Sequence, residues 1–121
     1  MAKNEDESFQ VFKFVTYDPP YIPRFMLDVM AQDRVKNYAL ELRVFDQIYA
    51  YSVEKNVRGL PVPALIVWGD KDRVLSVASA GVLHQLMPRS QVVIMPGIGH
   101  LPMMERPRQS AENYLKFRAS L

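Results

Sequence analysis

Cysteine is absent from the 121 residues. A disulfide scaffold, a thiolate nucleophile and a cysteine-ligated zinc are therefore all excluded. The absence suits a reducing compartment. The opening MAKNEDESFQ has no apolar core and no cleavage pattern, so no signal peptide is expected and the expected location is cytoplasmic. Histidine is nearly as scarce. His84 and His100 are the only two, too few for a histidine-rich metal site. No run approaches the roughly 20 apolar residues of a membrane span, so no transmembrane segment is expected. Neither sign of charge dominates: 15 basic residues face 13 acidic ones, and the basic ones are scattered rather than clustered. That is not the footprint of a nucleic-acid binder. What remains is an ordinary globular balance, 49% hydrophobic and 23% charged, in a chain long enough for one domain at most. Such a chain buries about two-thirds of its unfolded surface, which allows a small core.

The first half reads as helical. Residues 1–7 are polar and are expected to form a disordered tail, having nothing to bury. Ser8 to Tyr17 carries Phe9, Phe12, Phe14 and Tyr17 without clean strand or helix spacing, so its type stays open. Asp18-Pro19-Pro20 interrupts any regular element. A helix is expected from about Pro23 to Gln32, with Met26, Val29 and Met30 on one side. A second is expected from about Arg34 to Val53, where Val35, Tyr38, Leu42, Phe45 and Tyr49 recur at steps of three and four. Phe25, Tyr38 and Phe45 are read as helix-packing groups rather than substrate contacts. Gly59, Pro61 and Pro63 mark a linker.

The second half changes character. Ala64 to Trp68 is a short apolar run closed by Gly69, as expected of a parallel strand covered on both faces. Val77 to Met87 suits a helix with Leu83, Leu86 and Met87 inward. Gln91 to Met95 is a second apolar run, closed by Pro96-Gly97. A last helix is expected from Pro107 to the end, with Ala111, Tyr114, Leu115 and Phe117 as its apolar face. Strand, helix, strand, helix is a βαβ unit with a trailing helix.

Two loops follow the two strands: Gly69-Asp70-Lys71-Asp72-Arg73-Val74 and Gly97-Ile98-Gly99-His100-Leu101-Pro102. Functional groups gather at the carboxyl ends of parallel strands. If the strands are adjacent, a carboxylate of the first loop meets the imidazole of the second. Such a pairing fixes the imidazole tautomer and stabilises the imidazolium, leaving the other ring nitrogen free as a base. Asp70 is read as a solvated turn residue. Glu105 is expected to favour the N-terminus of the last helix. Ser76 and Ser79 have no nucleophile setting, and His84 falls on a polar helix side.

Val62-Pro63 through Ile66-Val67-Trp68-Gly69-Asp70-Lys71-Asp72-Arg73-Val74-Leu75 resembles the penultimate strand and acid loop of α/β-hydrolases. Gly97-Ile98-Gly99-His100, followed by Met104-Glu105-Arg106-Pro107, is similar to their histidine loop and last helix. The resemblance implies that Asp72, in the G-x-x-D position, is the catalytic acid and that His100, in G-x-G-H, is the base, in the family order Ser…Asp…His. The wording around His100 most resembles the acylglycerol-lipase and carboxylesterase branch, and carbon–carbon bond hydrolases share much of it. Met103 and Met104 either line an acyl pocket or fill the core. The implied fold class is α/β: residues 61–121 form the C-terminal βαβα part of the hydrolase core, with an incomplete sheet, and residues 8–60 form a helical cap inserted before it.

The family's G-x-S-x-G does not occur, because Gly59, Gly69, Gly81, Gly97 and Gly99 bracket no serine. The resemblance thus implies a C-terminal fragment of a serine hydrolase that carries acid and base but no nucleophile, and that is inactive by itself. Its substrate in an intact enzyme would be a carboxylic ester or acylglycerol, and no cofactor is implied. The alternatives are a non-catalytic folded fragment that forms a homo-oligomer through an open strand edge, or part of a carbon–carbon bond hydrolase of the same fold.

Overall fold

A computed structural model describes residues 2–49 and 51–121. Residues 1 and 50 of the expected tail and second helix, and the Tyr49 side chain of the expected stripe, lie outside what is described. The chain is an α/β structure with a two-stranded sheet flanked by helices, and it groups into two compact units.

The first unit contains α1 (Glu5–Val15) up to Phe14, together with α2 (Arg24–Lys36) and α3 (Tyr38–Tyr49). The helix α1 resolves the open reading of Ser8 to Tyr17, and it corrects the expected tail, since residues 5–7 are its first turn. A reciprocal cap explains why. Asn4 Oδ1 accepts the Glu7 N–H at 2.8 Å, and Glu7 Oε2 accepts the Lys3 N–H at 2.8 Å. Two otherwise orphaned donors are satisfied, so charged residues that could bury nothing still start a helix. The Phe9 ring carries the Lys13 ammonium 4.4 Å from its centroid and the Arg24 guanidinium at 5.6 Å.

Helix α2 runs four residues further than expected, and the boundary with α3 falls at Asn37. There the side-chain Nδ2 and the backbone N–H both donate to the Asp33 carbonyl, at 2.9 and 3.1 Å. A short amide side chain that competes for a helical carbonyl ends the helix. Phe25 and Phe45, expected to pack between helices, are instead exposed, while Tyr38 is half-buried. Ala2, Ser8 and Ala31 are the small residues that bury.

The second unit holds Val15–Pro19 and Val53–Leu121, so Val15–Pro19 packs with the second half rather than with the helical segment. It contains α4 (Glu54–Val57), β1 (Ala64–Gly69), α5 (Ala78–Leu86), β2 (Ser90–Met95), α6 (Pro102–Glu105) and α7 (Pro107–Ala119). The two apolar runs are parallel neighbours in the register Ala64↔Ser90 to Gly69↔Met95. The linker is stitched to the βαβ unit. Gly59, at φ +72°, donates its N–H to the Leu86 carbonyl at 2.8 Å, and Arg89 Nη1 donates to the Pro61 carbonyl at 2.8 Å.

Ile66, Ala80, Met95 and Ile98 form the buried apolar core. It is smaller than the sequence suggests. β1 is only partly covered, with Ile66 and Gly69 its buried residues. Leu83, Leu86 and Met87 are half-buried, and Tyr114 and Leu115 on α7 are exposed. A two-stranded sheet offers too little apolar area to cover these residues. The short helix α6, unforeseen in the sequence, begins with Pro102 at a position that needs no backbone donor. Among the described residues, no helix is long and apolar enough to cross a membrane.

Candidate active site

The site is assembled at the carboxyl ends of β1 and β2. β1 stops at Gly69, where a Cβ would lie 2.2 Å from the carbonyl oxygens of both Ile98 and Gly99. Only glycine lets the histidine loop rest on the strand end. Backbone bonds then lock the two loops together. Asp70 N–H donates to the Met95 carbonyl at 3.1 Å and Lys71 N–H to the Ile98 carbonyl at 2.9 Å. Asp70 is not the solvated turn residue expected. Its Oδ1 accepts the Gly97 N–H at 2.6 Å, bridging the loops, while Oδ2 lies 3.2 Å from Lys71 Nζ. Partial desolvation of Asp70 opposes ionisation, yet the Lys71 hydrogen bond and charge and the Gly97 and Ile98 amides outweigh it and hold the carboxyl below its usual range.

Asp72 stands at the centre. Oδ1 accepts the N–H groups of Val74 and Leu75 at 2.8 and 3.0 Å, an aspartate turn that fixes the side chain to its own loop. Oδ2 lies 2.8 Å from Nδ1 of His100. Burial disfavours the Asp72 charge. The His100 hydrogen bond, the Leu75 and Val74 amides and the imidazole charge overcome that penalty and keep its pKa lowered. An ionised carboxylate only accepts, so Nδ1 of His100 carries the proton. The Asp72 side chain is 3% exposed and that of His100 31%, which shields the carboxylate while the imidazole keeps access to solvent.

Beside them opens a cavity of about 230 Å³, with Trp68, Leu75 and Pro102 among its walls along with Asp72 and His100. Met103 and Met104, read as lining an acyl pocket or filling the core, do not line it. Met103 is 63% exposed and Met104 half-buried, because the turn of α6 carries both away while Pro102 faces the cavity. Glu105 also departs from expectation. Its side chain is buried among backbone amides, with Oε1 accepting the Gly99 N–H at 3.0 Å and Oε2 the Tyr17 and Asp18 N–H groups at 2.9 and 2.8 Å. His84 donates to or accepts from Ser90 Oγ at 2.8 Å, away from the cavity. No group of three or more His, Asp or Glu among the described residues could hold a metal ion.

The backbone of Val15 and Thr16 is a part of the site that no sequence signal marked. The Val15 carbonyl accepts the His100 N–H at 2.8 Å, and the Thr16 carbonyl accepts from Arg73 Nη2 at 2.9 Å. Their side chains take no part in these bonds, so residue identity could not reveal them.

Residues 14–107 match the family model described as alpha/beta hydrolase fold. The chain is similar to Lipase 1 of Psychrobacter immobilis, 34% identical over the whole of this chain and 39% of that protein. It is similar to the monoacylglycerol lipase ABHD6 of Bos taurus, 32% identical over 98% of this chain and 36% of that protein. Among solved structures, a membrane phospholipase A described as a bacterial virulence factor superposes with a TM-score of 0.91 at 31% identity, over 98% of this chain and 39% of the other. The chain therefore spans roughly two-fifths of the length of the curated relatives it matches.

Proposed function

Because this chain belongs to the alpha/beta hydrolase fold family, we propose that Asp72 and His100 are the acid and base of a catalytic triad that hydrolyses carboxylic esters. The observation that carries this reading is the 2.8 Å bond from His100 Nδ1 to a buried carboxylate at the mouth of a largely apolar cavity. The similarity to lipases favours acylglycerols or related acyl esters as the substrate class. The 121 residues hold no G-x-S-x-G, so the serine comes from a segment outside them, and the chain alone is inactive.

In that enzyme, His100 Nε2 takes the serine hydroxyl proton as Oγ attacks the ester carbonyl. Asp72 stabilises the imidazolium that results. The proton passes to the departing alcohol as the carbon–oxygen bond breaks, and a water then repeats the cycle on the acyl-serine. The helical segment of the first unit is read as the cap.

The test is the coding DNA on the 5′ side of the first codon. An in-frame G-x-S-x-G run, in a product that hydrolyses short-chain nitrophenyl esters and acylglycerols, supports the proposal. An extended frame without that run counts against it.

A second reading has one observation in its favour. β1 pairs with β2 on one side, and among the described residues no strand covers its other edge. An uncovered edge is a template for pairing with another chain. On this reading the 121-residue chain is a homodimer without activity. Size-exclusion chromatography with light scattering checks it, and a monomer at high concentration would rule it out.

A further inference from the structure

Glu105 is 4% exposed and does not line the cavity. A carboxylate is costly to bury unless its oxygens are hydrogen-bonded. Here both are, by backbone amides from two separate stretches of chain. Gly99 belongs to the histidine loop, and Tyr17 and Asp18 belong to the strap Val15–Pro19. The strap returns to the histidine itself, since the Val15 carbonyl accepts the His100 N–H. Glu105, Gly99, His100, Val15 and Tyr17 thus form a closed ring of bonds. Arg73, next to Asp72, donates to the Thr16 carbonyl of the same strap, and Arg106 pairs with Asp18 at its far end. Gly99 has no room for a side chain: a Cβ there would lie 2.7 Å from the Tyr17 nitrogen and 2.8 Å from both the Val15 oxygen and Glu105 Oε1.

We propose that Glu105 is the positioning residue for His100, its carboxylate holding the strap and the Gly99 amide so that the imidazole stays at hydrogen-bond distance from Asp72. This rests on the reading of His100 as the base. Glu105 touches neither the imidazole nor the cavity. It acts by fixing the backbone on the N-terminal side of the histidine Cα, directly at the Gly99 amide and through the strap at the His100 amide.

The 121-residue chain allows a direct test, because it contains only two histidines and His84→Gln leaves His100 alone. With ¹⁵N-labelled histidine, the Nδ1 proton bonded to Asp72 gives a low-field resonance and a single tautomer. Glu105→Gln keeps the side-chain volume but offers one acceptor oxygen, and it turns an NH₂ group toward an amide that needs an acceptor. The expected result is a solvent-exchange rate of the Nδ1 proton at least about tenfold faster, with mixed tautomers. Ala80→Gly, in the buried face of α5, loosens the core without removing a bond of this ring and leaves both signals unchanged. An unaltered resonance in Glu105→Gln, or equal loss in Ala80→Gly, overturns the positioning role alone. No low-field resonance in the parent, or its survival in Asp72→Asn, overturns the acid–base reading and this proposal with it. If Glu105→Gln does not fold, warming the unmodified chain decides. The resonance must fade together with exchange at the Gly99, Tyr17 and Asp18 amides, below global melting. A resonance that outlasts their protection overturns the proposal.

Discussion

His100 Nδ1 donates to Asp72 Oδ2 at 2.8 Å, while the other Asp72 oxygen is held by the amides of Val74 and Leu75. Asp72 is thus tied to its own loop as well as to His100. Asp72→Asn leaves the shape of this arrangement but offers an NH₂ or a neutral carbonyl in place of the carboxylate, and so permits the wrong tautomer. On the proposed reading, a longer product that supplies the serine should lose about 10⁴-fold of its ester hydrolysis through this change. His100→Ala should lose at least as much. Nitrophenyl-ester assays on the two variants check this, and retention of more than a tenth of the activity by either rules the assignment out.

The lowered pKa of Asp72 has a consequence for stability. The folded-state pKa lies below the unfolded value of about 3.9, so the unfolded chain binds the proton more readily. The stabilisation is complete above the unfolded pKa and is lost as the pH falls through the folded one. Asp72→Asn should therefore flatten the acid limb of the stability curve below about pH 4. Asp70 shifts in the same direction, and Asp70→Asn should flatten the same limb. Urea titrations between pH 2 and pH 7 measure both; an unchanged slope in Asp72→Asn would count against the stabilised Asp72 carboxylate.

Two glycines make opposite predictions. Gly69→Ala places a methyl 2.2 Å from two backbone oxygens of the histidine loop, which have no flexible end to yield. Forced overpacking of this kind should destabilise by about 3 kcal/mol or more and separate the two loops. Gly81, inside α5, has nothing within 4 Å of its Cβ position. Gly81→Ala should stabilise by about 1 kcal/mol through helix propensity. Denaturant midpoints of the two variants are the measurement, and shifts of the same sign would contradict the packing described.

Asn4 caps α1 through its side-chain oxygen. Asn4→Ala should cost about 1 kcal/mol of helix stability and leave the His100 environment untouched. Amide exchange in residues 5–9, compared with that at Gly99 and His100, separates the two effects. Faster exchange in the histidine loop would contradict the independence expected here.

Much of this organisation could be read from the residues. Ala64–Trp68 and Gln91–Met95 are continuous apolar runs closed by glycine or proline, and both are strands in parallel register. A carboxylate loop and His100 stood out because each follows such a run, and the resemblance to α/β-hydrolases picked Asp72 rather than Asp70 as the partner. The Asn4–Glu7 cap was also legible, as an asparagine followed three residues later by glutamate, yet the surrounding charges pointed to a solvated tail. The Asn37 break was harder, since apolar spacing continues across it and one amide side chain decides where the helix stops.

The residues alone determined the strand pair and the two loops at its end, because each is written in side-chain type and spacing along a local stretch. Only the tertiary structure decided that Asp70 bridges the loops, that Glu105 is buried under three amides and that Val15 and Thr16 hold the site through their carbonyls. Those contacts are made by or with the main chain, whose donors and acceptors are the same at nearly every position, so composition and periodicity carry no trace of them.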